Sequence, residues 1–150
     1  MKRIIRLFFL AFSIVALNGM AISCSVGKEI VKLPLLSCQI KLLIPKNEFI
    51  IKSENYEEGV FYTFTSRKGA YIVVFEGALM QFLPEDTLSE SQIRKYNDKT
   101  IFTGITDNFY WRKDSIKGVR LFYNRVTSDS RKCFDKILNS AKIRIGGNSK

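Results

Sequence analysis

Apolar and polar residues alternate one by one along several stretches of this chain, and that period of two predicts strands. From Leu36 to Ile44, the residues Cys38, Ile40, Leu42 and Ile44 fall on one face while Gln39 and Lys41 fall on the other, the pattern of a half-buried strand. Pro45-Lys46-Asn47 breaks it, and Phe49-Ile50-Ile51 reads as a second short strand or as an apolar plug against the sheet. Val60 to Thr65 and Ala70 to Phe75 are rich in β-branched and aromatic residues, and Ser66-Arg67-Lys68-Gly69 between them reads as a hairpin turn. In the second of these runs both alternate sets are apolar, which predicts a layer on each side of the sheet. Thr100 to Thr106, Asn108 to Lys113 and Val119 to Val126 read as three further strands, the last two joined by a turn over Asp114 to Gly118.

The period changes twice. Thr127-Ser128-Asp129 offers N-cap residues, and Cys133, Phe134, Ile137, Leu138 and Ala141 follow at helical spacing, so a helix should lay that stripe on the sheet. Lys142 to Ile145 then reads as an edge strand. A shorter helix is expected from Pro84-Glu85-Asp86-Thr87 to about Tyr96, with its acidic residues at the positive end of the dipole. Ser53 to Gly59 reads as an exposed loop whose carboxylates lack the spacing of a calcium loop. Strands and helices do not alternate regularly, so the expected class is α+β, a mainly antiparallel sheet of about six or seven strands with a C-terminal helix and a shorter helix packed on it. Residues 34–146 form the expected single domain, and 147–150 a frayed end.

Leu7 to Leu17 is apolar without period, follows Lys2, Arg3 and Arg6, and ends at Asn18-Gly19-Met20. A basic start and an apolar run too short for a spanning helix, which needs about 20 such residues, predict a signal peptide over 1–23. Ala21-Ile22-Ser23-Cys24 resembles the lipobox of bacterial lipoproteins, in which small residues precede a cysteine that becomes the new N-terminus. Ala21 stands where that family prefers leucine, and Ile22 is bulkier than usual. The resemblance implies diacylglyceryl attachment at Cys24, a lipidated tether over 24–33 and a membrane-anchored place in a bacterial cell envelope. Ala21-Ile22-Ser23 equally satisfies the small-residue rule for ordinary secretion, which leaves no lipid.

The leader changes what the charge means. The formal net charge is +10, of which Lys2, Arg3 and Arg6 supply three, leaving a basic domain. Such a domain invites a nucleic-acid reading, but an exported one meets anionic lipid headgroups or an acidic envelope protein instead. Trp111, Arg112, Lys113, Lys117 and Arg120, interleaved with Phe109, Tyr110, Phe122 and Tyr123, form a candidate basic-aromatic binding surface or, equally, a strand pair that hides its aromatics and solvates its charges. With Cys24 lipidated, Cys38 and Cys133 are left as an even pair on two facing apolar surfaces, a disulfide candidate in an oxidising compartment.

The chain contains no histidine, which removes the commonest general base and metal ligand and every Ser-His or Cys-His arrangement. It also lacks a phosphate-cradling glycine loop and a paired-cysteine zinc motif. Carboxylate or Ser-Lys chemistry stays formally open, but the reading is non-enzymatic, with no catalytic residue, cofactor or metal and no small-molecule substrate identified. The closing run from Cys133 to Ile143 resembles the last helix and strand of PsbP-like α-β-α sandwich domains, which implies their order at this end and transfers no functional residue. The expected function is a small lipid-anchored binding or assembly-accessory module of the envelope; the rival is a soluble exported inhibitor or escort of another protein.

Overall fold

The computed structural model of the chain describes residues 27–77, 92–96 and 98–145. The signal peptide, Cys24, the start of the expected shorter helix and the frayed end lie outside the described residues. Within them the protein is mostly antiparallel β, with two sheets and one helix.

The smaller sheet has the order β1 (Lys28–Pro34), β2 (Cys38–Pro45), β10 (Lys142–Ile145), with β2 in the centre. The larger has seven strands in the order β3 (Phe49–Tyr56), β4 (Gly59–Ser66), β5 (Tyr71–Gly77), β9 (Val119–Val126), β8 (Phe109–Ile116), β7 (Lys99–Thr106), β6 (Gln92–Tyr96). The helix α1 (Ser128–Asn139) follows β9 and leads into β10. It touches β2, β8 and β9, so α1 and the small sheet together cover one face of the large sheet.

The core between them is built from the periodicities of the sequence. β2 contributes Ile40, Leu42 and Ile44, α1 contributes Cys133, Phe134, Ile137 and Leu138, and the large sheet contributes Phe64, Ile72, Val74, Leu121 and Tyr123. Phe134 packs edge-on against both Phe49 and Tyr123, with ring centroids 5.8 and 5.6 Å away. Thr127 is the extended N-cap residue, Asp129 sits in the first turn and Lys136 in the last, charges that suit the helix dipole.

Tight turns set the register. Asp107 and Asn108 both have positive φ, 50° and 66°, as do Lys117 and Gly118 at 48° and 83°. Two consecutive left-handed residues match the twist of a two-residue hairpin, so β7–β8 and β8–β9 are tightly closed. Ser66 and Gly69 close β4–β5 as expected, Gly69 N–H donating to the Ser66 carbonyl at 3.0 Å.

Five expectations are corrected. The stretch read as a tether over 24–33 contains β1, which pairs along its whole length with β2. Only Leu33 of β1 is buried, so the strand is held by backbone pairing rather than by an apolar stripe. Gln92–Tyr96, given to the end of the shorter helix, is the edge strand β6, and among the described residues α1 is the only helix. The acidic loop over Ser53 to Gly59 is largely strand: β3 and β4 pair from Phe49↔Ser66 to Tyr56↔Gly59, leaving Glu57 and Glu58 as the turn. The single sheet is in fact two.

The fifth correction is covalent. Cys38 is a free, buried thiol, and the expected Cys38–Cys133 bridge is not formed. Cys38 opens β2, where its thiol donates to Glu76 Oε2 at 3.8 Å. Cys133 adjoins Phe134, which packs on Phe49, beyond the other end of β2. Seven strand steps at about 3.3 Å each separate the two ends of β2, whereas a disulfide needs Cα atoms within about 7 Å.

Candidate functional site

Directly paired residues of neighbouring strands share a face, and the registers therefore define the outer face of the large sheet, opposite the core. It carries Phe61 on β4; Tyr71, Val73 and Phe75 on β5; Arg120 and Phe122 on β9; Trp111 and Lys113 on β8; Phe102 and Gly104 on β7. A face of an antiparallel sheet open to solvent ordinarily reads as polar; this one is aromatic, and Phe61, Phe75, Trp111 and Phe122 are buried. Phe61 and Phe75 stack with centroids 4.2 Å apart, and Tyr71 meets Phe122 edge-on at 6.1 Å. Between β3, β4, β5 and β9 they enclose a recess of about 220 Å³ lined by Glu54, Tyr56, Phe61, Thr63, Tyr71, Val73 and Phe122.

Trp111 lies on the same face, against Gly104 of β7. A Cβ at Gly104 would overlap the Trp111 ring, so glycine is what lets the indole lie flat on the neighbouring strand. The residue is 4% exposed, and its Nε1–H is buried without an acceptor among the described residues. A buried indole N–H ordinarily finds a partner, and leaving it without one costs about 1–3 kcal/mol.

Two cations share the Trp111 face. Lys113 is two residues along the same strand and same face, with its Nζ 5.5 Å from the Phe102 ring centre. Arg120, opposite Ser115, is the diagonal neighbour of Lys113 and lies 5.9 Å over Phe75. Burial pushes the Lys113 ammonium below the usual lysine range, and the Arg120 charge pushes it the same way. Lys52 and Lys95 share the face, with Glu54 the acid among its described residues. The face thus combines aromatic side chains, one buried donor without an acceptor among the described residues, and several cations.

The predicted site residues divide. Trp111, Lys113 and Arg120 share the outer face, and Lys117 stands in the β8–β9 turn with Nζ 3.6 Å from Asp98 Oδ2. Arg112 does not join them. It points inward, its side chain 6% exposed, donating from Nε and Nη2 to Asp114 at 2.7 and 2.9 Å, from Nη1 to Asp135 at 3.1 Å and from Nη2 to Asn139 at 2.6 Å. Burial works against its charge, but the hydrogen bonds and charges of Asp114 and Asp135 outweigh it and hold the guanidinium above its usual pKa. Lys99 adds a 2.6 Å pair to Asp114, and Tyr123 donates to Asp135 at 2.9 Å. Burial and then the Asp135 charge raise the Tyr123 phenol far above its ordinary range.

This cluster pins β8 and β9 to α1. It opens onto a polar recess of about 370 Å³ whose rim includes Arg94 and Arg131. Its deep cations are already bound by carboxylates, so it is a clamp, whereas the outer face presents a donor still in need of an acceptor.

Sequence reasoning missed Phe61, Phe75, Phe102 and Gly104 as parts of the site. The signal available was the second apolar set on the strand from Ala70 to Phe75, which already called for a covering layer. Among the described residues no group of three or more His, Cys, Asp or Glu side chains converges to hold a metal. Comparison with protein-family models, curated proteins and solved structures finds no match to this chain.

Proposed function

We propose that the chain is an exported, non-enzymatic binding module that takes anionic amphiphiles of the lipid-headgroup class on the outer face of its large sheet. The observation that carries this reading is the buried Trp111 Nε1–H, which has no acceptor among the described residues and shares its face with Lys113 and Arg120. An anionic oxygen there would satisfy the indole on a face that also carries Lys113 and Arg120, while the recess beside Phe122 takes the apolar part. The leader supports an envelope setting, where anionic headgroups are the abundant ligand of this chemistry. Lack of histidine, and a Cys38 thiol kept neutral by burial and by Glu76, favour binding over chemistry.

Vesicle co-flotation tests the reading, using the chain from Cys24 onward made without its leader, so that no acyl chain contributes. Vesicles containing phosphatidylglycerol should carry the protein and pure phosphatidylcholine vesicles should not. The Lys113→Ala/Arg120→Ala variant should bind about 30-fold more weakly, since each cation near an anionic surface is worth about 1 kcal/mol. Equal binding to both vesicle types, or capture by an acidic protein with no binding to anionic lipid, contradicts it; the latter result favours the soluble escort.

A further inference from the structure

Four strands have a side without a neighbouring strand among the described residues: β1 and β10 in the small sheet, β3 and β6 in the large one. Three of them carry the usual guards against pairing with another chain, which are shortness, exposed cations and proline. β10 is four residues long and holds Lys142 and Arg144, β6 holds Arg94 and Lys95, and β1 ends on Pro34. β3 is eight residues long, lacks proline and is exposed from Ile50 to Tyr56. We propose that β3 is a homodimer edge, pairing antiparallel with β3 of a second copy of this chain about a twofold axis at Ser53. This inference does not rest on the ligand reading of the outer face.

The backbone limits the registers open to such a pair. The two-residue turn Glu57-Glu58 makes Tyr56↔Gly59 a hydrogen-bonded pair, and hydrogen-bonded pairs alternate along an antiparallel ladder. Tyr56, Glu54, Lys52 and Ile50 therefore direct their N–H and C=O groups to β4, while Asn55, Ser53 and Ile51 direct theirs to the open edge. A second β3 meets those groups only when odd-numbered residues stand opposite one another, so allowed registers differ by slides of two residues.

The side chains then select one register. With Ser53 opposite Ser53, Lys52 of each copy faces Glu54 of the other, and Ile50 faces Tyr56. A slide of two residues one way sets Lys52 against Lys52, and the other way sets Glu54 against Glu54. Opposite charges directly across a pair are favourable and like charges destabilising, so the register about Ser53 wins. Ile50 and Tyr56, 65% and 53% exposed in the single copy, each gain an apolar cross-strand neighbour there. β6 paired with itself about its middle residue would instead set Arg94 against Arg94. The axis at Ser53 is perpendicular to the sheet, so the two seven-stranded sheets become one and both outer faces look the same way. The recesses lined by Glu54 and Tyr56 then adjoin across the axis.

Sedimentation equilibrium on the full chain, exported by its own leader and held in mild detergent, should show a concentration-dependent dimer. Lys52→Glu and Glu54→Lys each turn both pairs across the axis into like-charge pairs and should each weaken the dimer about 30-fold. Lys52→Glu/Glu54→Lys exchanges the charges and should restore it; circular dichroism checks that the three variants are folded. Ser53→Cys would set two Cα atoms about 5.5 Å apart, within disulfide range, so mild oxidation should link tryptic peptide 53–67 to its own copy. In the native dimer the Ile51, Ser53 and Asn55 amides should be protected from hydrogen exchange and lose that protection on dilution, a readout that needs no variant. A monomer at every concentration, single variants that associate as the native chain does, or no recovery in a folded double variant would each overturn the proposal. Protection of those three amides that dilution leaves unchanged would also overturn it, because another part of the chain would then cover the edge.

Discussion

Replacing Arg112 by methionine keeps the length of the side chain and deletes its charge. The guanidinium makes four hydrogen bonds, two to Asp114, one to Asp135 and one to Asn139. Asp114 is 0% exposed and would keep only Lys99, whose own side chain is 22% exposed. Asp135 keeps Tyr123 and a long pair to Arg131 at 3.7 Å, and Asn139 loses its donor. Hydrogen bonds to charged groups are worth about 1.5–3 kcal/mol each, but members of one network are not additive. The better guide is the cost of stripping one partner from a buried pair, about 3–5 kcal/mol, most of it the penalty of the charge left behind. Urea unfolding followed by circular dichroism reads this as a lower midpoint at unchanged slope. The double variant Arg112→Met/Asp114→Leu should lose less than Arg112→Met alone, because no buried carboxylate is abandoned. A single-variant loss below about 1 kcal/mol, the worth of a surface pair, or a double variant less stable than the single, refutes the reasoning that this cluster is a buried clamp between β8 and α1.

Three other outcomes follow from the same structure. Gly104→Ala should destabilise by about 1–3 kcal/mol, the usual cost of overpacking, and change the emission of Trp111, because the new methyl group displaces its ring. Glu76 accepts hydrogen bonds from both the backbone N–H and the hydroxyl of Ser37, so Glu76→Ala should cost about 1–3 kcal/mol by urea midpoint. Burial first, and then the Glu76 charge and hydrogen bond, raise the Cys38 thiol above its ordinary pKa. The folded thiol therefore keeps its proton where the unfolded one loses it, so stability is full below about pH 8.5, the unfolded value, and falls as pH climbs toward the higher folded one. Cys38→Ala should remove that part of the alkaline decline, and native Cys38 should react with iodoacetamide at a higher pH midpoint than in urea.

Strand content and the C-terminal helix were legible because burial there is periodic. Cys38, Ile40, Leu42 and Ile44 alternate without a break, and Cys133, Phe134, Ile137 and Leu138 repeat at helical spacing. β1 and β6 escaped because they bury little: β1 holds one buried side chain, and Ile93 and Tyr96 of β6 are each 57% exposed. Pairing along an edge leaves no apolar pattern for a sequence to display. The candidate site was half legible for a related reason. Trp111 and Arg112 are neighbours in sequence, and a strand sends them to opposite faces; composition cannot say which face meets the core. The cysteines were sorted by which apolar surfaces they share, which parity reveals. It does not reveal at which end of a strand each one lies, and that decided against Cys38–Cys133.

Trp111 is the sole tryptophan of the chain, so its fluorescence reports on the proposed site directly. Titration with a short-chain phosphatidylglycerol should change its emission saturably, with an apparent affinity that weakens as salt shortens the reach of Lys113 and Arg120 from about 10 Å at 0.1 M to about 3 Å at 1 M. Inorganic phosphate should act more weakly, lacking an apolar part, and phosphatidylcholine should leave the emission unchanged. An unchanged spectrum with the anionic lipid, or an identical titration by Lys113→Ala/Arg120→Ala, would contradict the assignment of the outer face as an anionic-amphiphile site.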